Sequence, residues 1–428
     1  MTSAPPPFAR AMPRLLALAL AVGIGFTLMG SFSTVQEGAK AQMGLSDVQL
    51  SLIQGVSIAI PLLLLSIPIG IAVDRVNRVR LLILLSLLGI TGTLGTAFAP
   101  SVETLFAARM LTAIGTTGGL TAALSLTADL CATAARGRGT LIVSLGQRLG
   151  IAAGFGLVGW LFGRIGQGAA ENLLGAMSPW RGAHLILAVL AAILVVPLLF
   201  LREPARHEME AGPRAAFRVV LGELWQRRRF LGPLFAGQVS VVMADAAGGI
   251  WAVPVLSRNY GVGPDEVAGW MGLMIFLAGL GGAILGGISA DLGQKSGRPG
   301  GLLLGAVIAA ALGIPAALFP LSPNLPVFAA AIGLLLLCGT LTGLIVAVSL
   351  TVFLPNELRG LSIGVFIAIA GLIGYGLAPT AVAGVSKLLG GEAQLAPALA
   401  IVGVATSALA FVAFLAAMRR CPPTNFHD

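Results

Sequence analysis

The sequence has 428 residues, 57% of them hydrophobic and only 10% charged, with a mean hydropathy of +0.96 and a formal net charge of +9. A soluble chain of this length needs about 25% charged residues to cover its surface, so two or three water-soluble domains are excluded and most of the surface must face lipid. The high pI of about 10.6 would suit nucleic acid, but the distribution of the charges argues for membrane topology instead.

A helix needs about 20 apolar residues to cross a hydrocarbon core of about 30 Å. Twelve runs of that kind are predicted, at 12–33, 49–72, 81–99, 103–129, 139–163, 180–201, 230–256, 265–290, 300–320, 325–353, 360–386 and 394–418. Their length and lack of alternation specify helices rather than barrel strands. The first run follows Arg10 and Arg14 as a signal peptide would, but it has no convincing small-residue cleavage site and eleven spans come after it, so it is read as a retained helix. Ser46 and Gln49 have capping-box spacing and are expected to start the second span. Arg136-Gly137-Arg138 separates the fourth and fifth spans. Pro61, Pro68, Pro254 and Pro379 are expected to mark kinks.

The one long polar interruption, 202–229, holds Arg202-Glu203-Pro204 and Arg227-Arg228-Arg229 and divides the spans six and six. The expected organisation is a six-helix bundle at 1–201, a cytoplasmic linker at 202–229 and a second six-helix bundle at 230–428. With the amino terminus inside, nineteen Lys and Arg fall at inner helix ends and five at outer ends, the latter being Lys40, Arg164, Arg181, Arg258 and Lys387. This positive-inside bias puts both termini in the cytoplasm of a multi-pass protein of the cell inner (plasma) membrane. The basic linker could also meet anionic headgroups, though anchoring the topology is the simpler reading. Cys131, Cys338 and Cys421 offer no outward pair for a disulfide, and His184 and His207 have no partner at metal-ligand spacing, so neither a disulfide framework nor a metal or other cofactor is expected.

The halves share a weak repeat. Gly70-Ile71-Ala72-Val73-Asp74 after the second span matches Gly287-Ile288-Ser289-Ala290-Asp291 after the eighth, each followed by basic residues. The fourth span ends in Asp129 through Arg136-Gly137, and the tenth in Pro355-Asn356-Glu357-Leu358-Arg359-Gly360. Parallel repeats with charged inner loops suit a transporter built from two rocking bundles, with the substrate path between them.

At Gly70, Asp74, Arg75 and Arg78 the sequence resembles the major facilitator superfamily, whose loop after the second helix reads G-x-x-x-D-R-x-x-R. More narrowly it looks like the Spinster-like branch, through Leu45-Ser46-Asp47-Val48-Gln49-Leu50, Ala108-Arg109-Met110-Leu111, Trp180-Arg181, Arg258-Asn259-Tyr260-Gly261 and Gly281-Gly282. The resemblance implies the twelve-helix major facilitator fold. It also implies a conformational switch at Gly70, Asp74, Arg75 and Arg78, with Gly287 and Asp291 as its counterpart, stabilising the outward-open state; the plainer alternative for these charges is topology alone. Two departures stand out. Leu28 and Met29 occupy the positions where Spinster-like members usually carry Asp-Arg, and Gly115-Thr116-Thr117 replaces the familiar Gly-Glu-Ala. The Gly-Pro ending of the fifth helix in proton antiporters is also missing, and Gly146, Gly150, Gly154 and Gly156 give only close helix packing. Drug/proton antiport is therefore not favoured.

An ionisable side chain inside a span costs about 2.5–3.5 kcal/mol on insertion scales, so such residues default to functional candidates. Arg109, Arg148 and Asp245 qualify. Arg109 heads a stripe with Thr112 and Thr116 on one helix face, suggesting a wetted wall; the alternative is an arginine that bonds neighbouring carbonyls to hold the bundle, and Ala113 replaces a usual glycine beside it. Arg148, next to Gln147, is a guanidinium fork suited to a carboxylate, sulfonate or phosphate. Asp245 sits at similar depth with Gln238 two turns before it and Gly248 and Gly249 on its face. An Arg148–Asp245 pair would demote both to structure, whereas an Asp245 that protonates during the cycle would be the best remaining proton carrier. Gln54, Ser57, Trp251 and Tyr375 are lower-grade candidates that suit packing at least as well.

The expected function is secondary active or facilitative transport, by alternating access, of a small organic solute that is anionic or amphiphilic, by a monomer without nucleic-acid partners. Spinster-like members include lipid and lysolipid transporters, so the resemblance adds a lipid-like solute as one option. Proton-coupled efflux of drugs or lipids through Asp245, and a transport-inactive receptor of the same fold, are the alternatives. An ATPase is excluded by the lack of a phosphate loop ending in Gly-Lys-Ser/Thr, and an intramembrane enzyme would need clustered acids or a Ser/His pair that a lone Asp245 does not supply.

Overall fold

A computed structural model describes residues 8–132, 135–169, 171–204, 222, 225–353, 366 and 369–422. Most of the 202–229 linker and the 355–360 segment of the repeat lie outside the described residues. Every regular element among those described is helical.

In chain order the long helices are α1 (Phe8–Met43), α2 (Asp47–Arg75), α3 (Arg78–Phe98), α4 (Val102–Leu130), α5 (Arg136–Gly166) and α6 (Pro179–Phe200). They continue as α7 (Arg228–Tyr260), α8 (Pro264–Lys295), α9 (Gly301–Leu321), α10 (Leu325–Phe353), α11 (described from 369, with Gly371–Leu377 and Ala378–Leu388) and α12 (Leu395–Arg419). Ten of the described helices are long and apolar enough to cross a membrane. The two others are α4, whose glycines, threonines and Arg109 dilute its hydropathy, and α11, whose first part is outside the described residues.

Local chemistry sets the boundaries. α1 runs ten residues past its expected end and stops at Gly44, whose φ of +65° only glycine adopts cheaply; the Leu45 amide then donates to the Lys40 carbonyl, the bond that closes a Schellman cap. The capping box at Ser46 forms as expected, with the Gln49 amide donating to Ser46 Oγ and the Ser46 amide to Gln49 Oε1. A second box, Ser101 with Thr104, opens α4, and Asn77 caps α3. α2 and α7 continue through Pro61, Pro68 and Pro254. Pro379 stands two residues after a π-helical turn, within a helical run that continues through it.

The chain forms two compact units, residues 1–211 with 261–276, and 212–260 with 277–428. The first half of α8 thus groups with the first unit, away from the expected 230–428 division. Glycines explain it: a Cβ on Gly159 of α5 would lie 2.3 Å from the Pro264 carbonyl, and one on Gly272 would lie 2.6 Å from the Ala152 carbonyl. In the first unit α1 and α5 also meet backbone to backbone, since a Cβ on Gly146 would stand 2.2 Å from the Ala19 carbonyl and one on Gly150 2.1 Å from that of Gly23. Thr27 and Thr34 stitch the seam by donating to the carbonyls of Gly150 and Gly154 at 3.0 Å each. The second unit has an aromatic and aliphatic core that includes Phe230, Leu234, Leu303, Ile345 and Phe414. Large side chains such as Leu64, Ile67, Leu273 and Val412 are exposed. A fold that leaves them so is apolar on its surface as well as in its core, as lipid solvation requires.

Candidate functional site

In the first unit the polar candidates divide by what holds them. Arg109 on α4 is buried, 2% exposed, and its Nη1 donates to the Leu28 carbonyl at 3.2 Å while Nη2 donates to the Met29 carbonyl. Its guanidinium carbon lies 5.5 Å from the centre of the Phe32 ring. The carbonyls it grips belong to the α1 residues that stand in place of the usual Asp-Arg, so the backbone supplies the acceptors that a carboxylate would otherwise offer.

The threonines below Arg109 are not an open wall. Thr116 Oγ1 is within bonding distance of the Gly25 carbonyl on α1 (2.9 Å) and of the Thr112 carbonyl (2.8 Å), and Thr112 is itself fully buried. The wetted stripe expected from spacing is a packed seam between α4 and α1. Gly115 makes a similar approach on another side, where a Cβ would lie 2.5 Å from the Leu85 carbonyl of α3.

Two buried networks extend this framework. Gln54, in the π-helical turn Leu52–Val56, donates to Gln36 Oε1 at 2.6 Å and accepts from Ser33 Oγ at 2.7 Å. Ser57 donates back to the Ile53 carbonyl. His184 has no partner at metal-ligand spacing, and its surroundings are apolar. It sits fully buried between Phe32 and Trp180, with Nδ1 2.7 Å from the Trp180 carbonyl and Nε2 3.2 Å from Ser31 Oγ. A carbonyl can only accept, so Nδ1 carries the proton. The available signal was a histidine four residues after a tryptophan in an apolar span.

At the end of the first unit that holds the α2–α3 turn, Arg78 is 3% exposed and pairs through Nη1 with Asp129 and through Nε with Glu203 Oε1 at 2.8 Å. Glu203 Oε2 also accepts from the Val79 amide at 3.0 Å. Of the residues expected to form the switch, Arg78 is thus committed inside its own unit, whereas Asp74 and Arg75 are exposed in the last turn of α2. Glu203 was visible in the sequence only as the middle of Arg202-Glu203-Pro204. Among the described residues nothing lies within 4 Å of where a Cβ on Gly70 would stand, and one on Gly287 would meet Leu344 at 3.8 Å. Asp291 is exposed on α8. Trp180 and Arg181 form a clamp at the opposite end: Trp180 Nε1 donates to Gln42 Oε1 at 2.6 Å, and Arg181 donates to the carbonyls of Ala97 and Ala99.

Arg148 and Gln147 differ from all of these. Both lie midway along α5 and are partly exposed. In helical projection Arg148 faces well away from the Gly146–Gly150 seam.

In the second unit Asp245 of α7 sits against α10. A Cβ on Gly339 would lie 2.0 Å from its Oδ2, so only glycine leaves room for the carboxylate, and its Oδ1 is shut off from solvent. The small cavity around it is lined by Cys338, Gly339, Thr342 and Ser407. Gln238, 5% exposed and two turns before, keeps an Oε1 with no hydrogen-bond donor among the described residues. Among the described residues nothing lies within 4 Å of a Cβ placed on Gly249, whereas one on Gly248 would meet Phe319 and Leu335 at 3.7–3.8 Å. Trp251 is fully buried and donates to the Pro379 carbonyl at 3.1 Å, a packing role. Tyr375 is partly exposed in the π-helical turn Gly371–Leu377, which packs on α7 so closely that a Cβ on Gly374 would stand 2.4 Å from Val242. π-helical turns recur at functional positions. Gln238 and Asp245 thus share a face of α7, both meeting glycines of α10, whereas Trp251 is taken up by its bond to the Pro379 carbonyl. Among the described residues no group of His, Cys, Asp and Glu could hold a metal ion.

Solved transporters share this architecture. A bacterial homologue of the human lysosomal transporter Spinster, in an inward-facing and unoccupied conformation, superposes with a TM-score of 0.79 at 22% identity, covering 95% of this chain and 97% of that one. Its inward-facing, occupied conformation gives 0.78 at 21% over 96% and 97%. A single-site variant of the nucleoside transporter NupG gives 0.74 at 13% over 94% and 99%. At these identities the likeness is one of fold. No curated protein matches the sequence significantly. The sequence profile of the Major Facilitator Superfamily matches residues 15–379, and with that match the chain belongs to this superfamily as a multi-pass membrane transporter and not an enzyme.

Proposed function

We propose that the protein carries a small organic solute with an anionic group, amphiphilic solutes included, by alternating access across the cell inner membrane, with both termini in the cytoplasm. The observation that carries this reading is the contrast between its two intramembrane arginines. Arg109 is buried on α1 carbonyls, whereas Arg148 is partly exposed at mid-span beside Gln147. A guanidinium kept at that depth and reachable is a fork for carboxylate, sulfonate or phosphate. The inward-facing conformations of the Spinster homologue support alternating access as the mode. Saturable, product-free uptake by proteoliposomes, lost in Arg148→Ala at normal expression, tests the proposal; wild-type flux in that variant would remove the arginine's substrate role.

A second reading, coupling to protons, is favoured by the seat of Asp245. Its carboxylate is pressed on Gly339 with one oxygen closed to solvent, surroundings in which a change of protonation would alter packing between α7 and α10. Asp245→Asn is expected to leave solute exchange intact and to abolish accumulation driven by a pH gradient. Unchanged pH-driven accumulation would rule out this carboxylate as the proton carrier.

A further inference from the structure

We propose that the groove between α1, α5 and α6 is a binding site for an anionic glycerophospholipid, distinct from any site for the transported solute. The groove has a volume of about 500 Å³, within the roughly 300–1,000 Å³ of specific small-molecule sites. Its walls are Leu16 and Leu20 of α1, Ile142 and Leu149 of α5, and Leu190 and Leu194 of α6. Apart from Ile142 these side chains are more than a third exposed. Its floor is the glycine seam where α1 and α5 touch backbone to backbone, which leaves a trough that larger side chains would have filled.

Its dimensions select an acyl chain. On α1 the lining runs from Leu16 to Leu28, about 18 Å at 1.5 Å per residue, which compares with about 15 Å for one leaflet of a 30 Å hydrocarbon core. The trough is therefore as deep as one leaflet and opens at one membrane surface.

Charge at that opening selects the headgroup. Past the last lining residue of each wall the chain carries an exposed arginine: Arg10, six residues before Leu16 on α1; Arg138, four before Ile142 on α5; and Arg202, eight after Leu194 and beyond α6. Arg138 is on the groove face one turn before Ile142, with Leu145 and Leu149 continuing the same row. None of the three forms an ion pair or hydrogen bond among the described residues, in contrast to Arg78, Arg109 and Arg181, whose guanidiniums are committed to protein acceptors. Uncommitted guanidiniums at the phosphate level, above a channel for one chain, complement a lipid phosphate. The leaflet is the one that faces the amino terminus.

Native mass spectrometry of the full-length protein, equilibrated in detergent with equimolar phosphatidylglycerol and phosphatidylcholine of matched 16- and 18-carbon chains, tests this. The wild type is expected to retain one phosphatidylglycerol in preference to phosphatidylcholine. Arg138→Ala/Arg202→Ala should lower that retention roughly 30-fold, two charges at about 1 kcal/mol each. Ala153→Leu, which fills the floor, should expel both lipids; should its melting temperature fall, the arginine pair alone decides. Equal retention of the two lipids by the wild type, unchanged phosphatidylglycerol retention in the arginine pair, or a lipid-free dimer occluding the groove would overturn the proposal.

Discussion

Arg109 and Arg148 lie on successive helices of one unit, both inside spans, and their surroundings could hardly differ more. Around Arg109 the contacts are local: α1 presents the Leu28 and Met29 carbonyls to its two Nη groups, Phe32 presents its ring, and Thr112 and Thr116 are closed beneath it, while the buried Nε has no acceptor among the described residues. Around Arg148 the helix is partly exposed and the glycine seam is on another face. The same residue type on two successive helices therefore serves packing in one region and is partly exposed in the other. Depth in the membrane identifies a costly residue, and only its partners tell what the cost supports.

The comparison can be broken at several points. The largest effect is expected at the seam: Gly150→Leu forces a side chain into the Gly23 carbonyl, backbone that cannot yield without parting α1 from α5, and should cost 3 kcal/mol or more, about the upper end for overpacking, seen as loss of monodisperse protein in size-exclusion chromatography. Arg109→Leu comes next. It leaves two carbonyls without their donor and removes a desolvated cation–π contact, so a loss of about 1–3 kcal/mol is expected, read as a lower melting temperature in detergent. Glu203→Gln keeps the shape but weakens the partly exposed half of the Arg78 cluster, with an expected cost of about 1 kcal/mol or less. A melting temperature for Glu203→Gln as low as that for Arg109→Leu would mean that the cluster, and not the α1–α4 seam, braces the unit.

Much of this architecture was legible in the chain itself. Long apolar runs specified the helices, and capping chemistry at Ser46 located the start of α2, because hydrophobic length and N-terminal hydrogen bonds act within one element. What could not be read were choices settled between elements. Thr112 and Thr116 share a helix face, a pattern equally suited to a wet wall and to a seam, and only the approach of Gly25 decides between them. Arg78 pairs with Asp129 and with Glu203, the latter 125 residues away, pairings made by the fold. The π-helical turns at Leu52–Val56 and Gly371–Leu377 carry no distinctive composition, since each arises where a helix makes room for one extra residue against its neighbours. Asp245 was visible as a charge in a span, but its fit against Gly339 depends on α10 arriving with a glycine at that level.

The central claim is that Arg148 meets the solute while Arg109 holds the fold. It is tested most directly by thermal-shift measurements on purified wild type, Arg148→Ala and Arg109→Leu against a panel of metabolites and lipids. The account predicts that an anionic compound raises the melting temperature of the wild type, that Arg148→Ala stays folded but loses the shift, and that Arg109→Leu melts lower yet keeps it. A full ligand shift in Arg148→Ala would contradict the account.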